Sequence, residues 1–246
     1  MTPQATLQKM IDMKLHGMAN AFQTTMETGF HHKFTADELI GHLVDSEWED
    51  RFNRKLQRRL RAANFRYQFS LEQIDLNQKR NLDKDLLLRL SNCDWVKKAE
   101  NILITGPTGA GKTSIACALG HQACLNNHPV IYVKGVKLFS KLKYAKADGS
   151  YDKELLKIQK QYVLIIDDFG LHPIDDQSKL MLLEILEDRY GERSTIITSQ
   201  MPVSQWYDII DNSTIADAVL DRIIHNSYTM DLQGDSMRKI FKSRSG

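Results

Sequence analysis

The chain predicts an α/β fold, a parallel sheet flanked by helices around a phosphate-binding loop, with a small all-helical domain in front of it. Three observations predict this. Short apolar runs alternate with helix-length amphipathic segments from about residue 100 onward, the pattern that builds a mostly parallel sheet covered on both faces. The stretch Gly106-Pro107-Thr108-Gly109-Ala110-Gly111-Lys112-Thr113 sits between an apolar run, Ile102-Leu103-Ile104-Thr105, and the helical start Ser114-Ile115-Ala116. The first 70 residues carry helical periodicity and no strand signal.

From the N-terminus, Leu7, Met10, Ile11, Leu15 and Met18 share one side of a helix running from Leu7 to about Thr28. A loop around Gly29-Phe30-His31-His32 follows. Thr35-Ala36-Asp37-Glu38 then opens a second helix, with a threonine cap and an acid three residues on. Trp48, Phe52, Leu56 and Leu60 recur every four residues as an apolar stripe along it or a close successor. At about 100° per residue, Arg51, Arg54, Lys55, Arg58 and Arg61 gather opposite that stripe. No acid interrupts positions 51–66 and Arg66 extends the charge, so this face is the candidate DNA-phosphate contact, a solvated helix face being the plainer alternative. Arg59 projects onto the apolar edge.

Leu71 to Trp95 supplies a connecting segment and a helix that packs on the nucleotide domain, with the polar break Asn77 to Asn81 marking the junction. The expected domains are residues 1–72, helical and binding DNA or a partner, and 73–246. In the second, strands at 102–105, 130–133, 163–167 and 194–199 alternate with helices at 112–126, 136–146, 152–160 and 176–190.

The loop carries the chemistry. Its glycines allow backbone N–H groups to converge on a β-phosphate, and the helix start at Lys112 to Ser114 adds its positive end. Lys112 offers a mobile cation for β/γ oxygens, and the Thr113 hydroxyl is a hard ligand for Mg²⁺. Together they call for a nucleoside triphosphate with Mg²⁺. The apolar run Tyr162 to Ile166 ends in Asp167-Asp168. Asp167 is placed to hold Mg²⁺ and Asp168 to polarise an attacking water, the plainer alternative for Asp168 being a turn or cap residue before Phe169-Gly170. A glutamate is commoner in that role, and Asp168 reaches about one methylene less far.

Composition sets the outer limits. With 246 residues, 42% hydrophobic and 26% charged, the chain has ample core for a soluble protein. No apolar run approaches a membrane span, and no secretory signal opens the chain. Cys93, Cys117 and Cys124 lack metal or redox-pair spacing and read as core thiols in a reducing cytosol. A net charge of +2 says nothing by itself about nucleic acid.

The chain resembles AAA+ ATPases of the initiator and helicase-loader branch, and within it the IstB group, helper ATPases encoded beside the transposase in a class of bacterial insertion sequences. The resemblance rests on Leu15-His16-Gly17-Met18-Ala19, Glu47-Trp48 to Arg61, Asp94-Trp95, Gly106 to Thr113, Asp167-Asp168-Phe169-Gly170, Thr198-Ser199-Gln200 and Asp221-Arg222-Ile223. It covers almost the whole chain, and its N-terminal segments are what point to IstB. The resemblance implies a γ-phosphate sensor at Thr198, with Ser199 and Gln200 as alternatives. It implies an arginine finger at Arg222 that serves a neighbouring subunit, and a second sensor at Arg238 in a short C-terminal lid. Initiator-branch relatives also touch DNA after their second strand, where this chain carries Lys134, Lys137, Lys141, Lys143 and Lys146. The implied partners are double-stranded DNA, further copies of the chain and a transposase, in the bacterial cytoplasm. The rivals are a replicative helicase loader of the DnaC or DnaI type, a nucleotide-gated scaffold that does not hydrolyse, and a small-molecule kinase.

Overall fold

The structure is a computed structural model and describes residues 2–76 and 80–234. The chain forms two compact units, Met1–Arg58 and Arg59–Gly246. Among the described residues no helix is long and apolar enough to cross a membrane.

The first unit holds helices α1 (Pro3–Asp12), α2 (His16–Glu27) and most of α3 (Ala36–Ala63). The single helix expected from Leu7 to Thr28 is two, because Lys14 takes a left-handed conformation at φ +61°. There Lys14 N–H donates to Ile11 O (2.9 Å) and Leu15 N–H to Met10 O (2.8 Å), the paired bonds that close a helix end. Gly17 then brings α2 against α3, since a Cβ at that position would stand 2.3 Å from Ser46 O. Glu47 holds the same junction, accepting from Met18 N–H at 3.1 Å and Arg51 Nε at 2.6 Å. Burial alone would raise the Glu47 pKa, but the Arg51 bond and the Met18 and Gly17 N–H groups outweigh it and hold the carboxyl below its ordinary range. The threonine cap of α3 is present: Glu38 N–H donates to Thr35 Oγ1 and Thr35 N–H to Glu38 Oε2, at 3.3 and 2.8 Å.

In the second unit, α4 (Lys84–Ser91) and α5 (Asp94–Lys97) lead into a sheet of β1 (Asn101–Thr105), β2 (Val130–Lys134), β3 (Val163–Phe169), β4 (Ser194–Ser199) and β5 (Ser227–Asp231). The strands are all parallel, in the order β2-β3-β4-β1-β5. That order sets β3, β4 and β1 side by side, so the ends of these three strands meet. β5 is absent from the sequence expectation because only Met230 among its residues is buried, and an edge strand with one covered side chain lacks the apolar run that marks the others.

Helices α6 (Lys112–Leu125), α7 (Gly135–Ala147), α8 (Tyr151–Gln159), α9 (Asp176–Arg189), α10 (Trp206–Ile210) and α11 (Ser213–Ile224) cover the sheet. Successive strand residues serve opposite faces. Leu164 and Ile166 join Leu142, Leu182, Ile185, Trp206 and Val219 in one core cluster. Ile165 turns to the other face, where its Cδ1 lies against Gly120 of α6. The three cysteines are buried and unbridged, and burial pushes the Cys93 and Cys117 thiols up to about 11 and Cys124 to about 12.

Candidate nucleotide-binding site

The phosphate loop leaves β1 at Gly106, which has φ +134° and passes so close to the segment after β5 that a Cβ would meet Leu232 O at 2.2 Å. A hydrogen bond from Thr105 Oγ1 to Asp231 Oδ1 (2.8 Å) pins the same two strand ends together. Ile115 N–H makes the first bond of α6, to Gly111 O at 3.0 Å. The N–H groups of Lys112, Thr113 and Ser114 precede it, at the helix start where backbone donors and the positive dipole end favour an anion. Lys112 folds back over the loop, donating to Gly106 O at 2.7 Å and Pro107 O at 2.9 Å. Thr108 donates to Gln200 Oε1 at 2.8 Å, which ties the loop to the end of β4.

Asp167 is fully buried at the end of β3. Three hydroxyls donate to its carboxylate: Thr113 to Oδ1 at 2.8 Å, Thr198 to Oδ1 at 2.5 Å and Tyr132 to Oδ2 at 2.5 Å. Burial and the Asp167 charge both push the Tyr132 phenol upward, so it stays a donor. Adjacent residues of a regular strand face opposite ways, yet both acids reach one site. The β3–β4 register explains how: Ile166 pairs with Ile197 and Phe169 with Ser199, so Asp167 and Asp168 together face Thr198 across a bulge. Asp168 takes φ +58° within it and its N–H donates to Thr198 Oγ1 at 3.1 Å. Thr198 therefore clamps both acids. Beside the Asp168 carboxylate stand Lys134 Nζ at 3.5 Å and Arg66 Nη1 at 3.6 Å.

A cavity of about 270 Å³ opens on this arrangement, bounded by the loop, Asp168 and Gln200 on one side. Its other wall is Arg66, Tyr67, Phe69, Ile74 and Arg80. Sequence reasoning missed this wall, which comes from the segment connecting α3 to α4, with a short 3-10 turn at Leu71–Gln73. A string of Tyr67, Phe69 and Ile74 just before a phosphate-loop domain was the available signal, an apolar slot suited to a planar base. Phe169 and Trp95 are core residues, 1% and 2% exposed, and do not line it.

A family model, IstB-like ATP binding protein, matches residues 8–245. The chain belongs to this IstB-like family. A Sinorhizobium fredii protein named as an insertion sequence ATP-binding protein is 44% identical over 245 residues, covering 100% of both chains. Among solved structures, a DnaI crystal structure aligns with TM-score 0.56 at 23% identity, over 72% of this chain and 93% of that one. AMPPCP-bound DnaA from Aquifex aeolicus aligns with TM-score 0.58 at 18% identity, over 74% and 56%. These neighbours establish the AAA+ fold of the IstB-like chain.

Of the remaining expected residues of this IstB-like protein, Arg222 stands away from the cleft. Arg222 bonds Glu187 Oε1 at 2.7 Å and Ala218 O at 2.8 Å, and its own carbonyl accepts from Asn101 Nδ2 at 3.2 Å. Asn101 begins β1 and the loop follows its other end, so Arg222 stands at the opposite edge of the sheet, about 16 Å of strand away. Arg238 lies outside the described residues. Ser199 is buried and donates to Phe169 O at 2.8 Å, whereas Gln200 lines the cleft.

On α3, Arg51 pairs with Glu47 (2.6 Å) and Arg54 with Asp50 (2.7 Å), acids just upstream of the basic run. Lys55, Arg58 and Arg61 are exposed, and among the described residues none forms an ion pair. Arg59 bonds Asn127 Oδ1 at 2.7 Å. Of the apolar stripe, Leu56 is buried but Trp48 is 67% exposed, stacked on Phe52 at 5.8 Å. The lysines of α7 are largely engaged: Lys141 with Glu154 at 2.6 Å, Lys143 with Asp175, and Lys146 over the Tyr151 ring. Lys137 is exposed.

Proposed function

We propose that this IstB-like chain is a DNA-binding ATPase that assembles on double-stranded DNA in an ATP-dependent way and assists a transposase in choosing its target. The bulge at Asp167-Asp168 carries the enzymatic part, because it delivers both carboxylates to the phosphate loop where a scaffold that only bound nucleotide would need one. The family membership and the insertion-sequence relatives favour transposition over helicase loading.

The residues fit Mg²⁺: Thr113 Oγ1 and Asp167 Oδ1 are hard oxygens 2.8 Å apart beside the loop. Among the described residues no cluster of three His, Cys, Asp or Glu forms a fuller cage, as suits an ion that keeps water and phosphate ligands. Once bound, Mg²⁺ would neutralise charge on the β/γ oxygens. Lys112 would leave its two carbonyls for those oxygens, and Asp168 would orient the attacking water and take its proton. Thr198 holds Asp168 for that task, while Gln200 is the cleft-lining group placed to meet the γ-phosphate. Arg222, too far to serve its own site, would enter the cleft of an adjacent copy, where a trans arginine raises turnover by roughly 10³- to 10⁵-fold. Basic residues of α3 and α7, led by Lys55, Arg58, Arg61 and Lys137 and joined by Arg51, Arg54 and Lys141 where their ion pairs allow, would contact DNA phosphates summed over the assembled copies.

The test is ATP turnover at high protein concentration with and without duplex DNA. Wild type should hydrolyse ATP, faster on DNA, and Asp168→Asn should bind ATP without turnover. Equal turnover in Asp168→Asn would overturn the enzymatic assignment, and recovery of a helicase but no transposase as partner would overturn the biological one.

A further inference from the structure

Among the described residues of the second unit, two arginines are almost fully buried, and they differ in how their donors are used. Arg189 is 1% exposed and spends its guanidinium entirely on the protein: Nη1 on Ile158 O and Gln161 O, Nη2 on Tyr162 O and Ser194 O, and Nε on Thr195 Oγ1. It is a structural staple. Arg80 is 5% exposed, yet its Nε has no hydrogen-bond partner. Its Nη2 donates to Asp75 O at 2.5 Å, and burial lowers its pKa by more than the nearby Asp75 charge restores. A guanidinium carries five donors and does not lose its charge. Burying one with a donor unused is costly unless an anion completes the site.

The position of Arg80 says which anion. Its side chain lines the cleft, and Nη1 lies so close to the phosphate loop that a Cβ on Gly111 would stand 2.9 Å from it. Gly111 directly precedes Lys112, where α6 begins and its positive dipole end lies. The backbone behind the guanidinium is pinned to the exit of β5: Arg80 O accepts from Gln233 N–H at 2.9 Å, and Asn81 Nδ2 donates to Asp231 O at 3.0 Å. Arg80 is thus a preorganised cation aimed at the loop from the wall opposite Lys112.

We infer that Arg80 is a nucleotide-contact residue acting within its own subunit, donating to a phosphate of the bound nucleoside di- or triphosphate beside the start of α6. The inference rests on the cleft taking a nucleotide, and it assigns a cis arginine independent of Arg222 and Arg238. It predicts that the site discriminates phosphorylated from unphosphorylated nucleoside through three groups, the loop, Lys112 and Arg80.

The test is a fluorescence titration of the full-length protein with N-methylanthraniloyl derivatives of ADP and of adenosine, comparing wild type, Arg80→Gln and Arg80→Lys. Arg80→Gln should weaken ADP about 10- to 150-fold, the range for losing a hydrogen bond to a charged group. Adenosine binding should be unchanged, and Arg80→Lys should fall between wild type and Arg80→Gln because it keeps the charge and loses the fork. Equal ADP affinity in Arg80→Gln would overturn the inference. Equal weakening of ADP and adenosine would do so too, by making Arg80 part of the base-pocket wall. If Arg80→Gln does not fold, Arg80→Lys carries the comparison; if neither folds, Arg80 is a structural post and the inference falls. A wild type that binds no ADP would instead sink the nucleotide reading of the cleft, leaving the two failures distinct.

Discussion

Replacing Thr198 with valine removes one hydroxyl and almost no volume, and the geometry says what that hydroxyl is for. It donates to Asp167 Oδ1 at 2.5 Å and accepts from Asp168 N–H at 3.1 Å, in a position with no solvent exposure. Losing a hydrogen bond to a buried carboxylate costs about 1.5–3 kcal/mol, and leaving the Asp168 N–H without a partner costs about 1–3 kcal/mol more. The sum, about 2.5–6 kcal/mol, corresponds in a chain of this size to a melting temperature lower by roughly 5–24 °C. Valine suits a β-strand well, so no propensity loss confuses the reading. Turnover should fall at least about tenfold as the bulge loses its clamp, while ATP affinity, held by the loop, stays close to wild type. Thr198→Ser keeps the hydroxyl and should recover both properties. Thermal melting and steady-state hydrolysis of the three proteins decide the matter. A Thr198→Val protein that melts with wild type but loses turnover would mean that the hydroxyl serves the γ-phosphate and not the acids, and one normal in both respects would refute the clamp altogether.

Arg222→Ala and Asp168→Asn should each be inactive alone, and mixing them should restore part of the turnover, since some interfaces then pair an intact Arg222 with an intact Asp168; no recovery across a range of ratios would place Arg222 outside catalysis. Neutralising Lys55, Arg58 and Arg61 together should lower DNA affinity and reduce the slope of log affinity against log salt by about 0.9 for each phosphate that is no longer neutralised, with nucleotide affinity intact, whereas Arg51 and Arg54, already paired with Glu47 and Asp50, should contribute less; an unchanged slope would remove α3 from the DNA surface. Glu47→Gln should destabilise the first unit at neutral pH. Because the folded Glu47 carboxyl titrates below its ordinary value of 4.5, its contribution is complete above that pH and is lost as pH falls through the lower folded value. Wild type and Glu47→Gln should therefore converge in stability as acid is added, and a gap that does not narrow as pH falls would show that Glu47 acts by shape and not by charge.

What could be seen in the sequence follows from how local each feature is. The phosphate loop and four strands were legible because each is a contiguous run whose burial is complete, as in Ile102 to Ile104 or Val163 to Ile166. β5 was not, because its place is set by pairing with β1 and not by its own side chains. Lys14 was illegible for another reason: a left-handed helix end at a residue other than glycine leaves no compositional trace. The candidate site divides in the same way. Lys112, Thr113 and Asp167 could be named as candidates from position alone, but the orientation of Asp168 depends on the bulge between β3 and β4. The cleft wall from Arg66 to Arg80 depends on a connecting segment folding over a loop that begins twenty-six residues after it ends. Charge was the least legible property. A window that begins at Arg51 contains no acid, yet Glu47 and Asp50 lie just before it, each one helical turn from its partner, and claim Arg51 and Arg54. The same holds for α7, where Glu154 and Asp175 from other elements engage Lys141 and Lys143. A basic stripe in a sequence counts cations; only the fold shows which of them still have a charge to offer a phosphate.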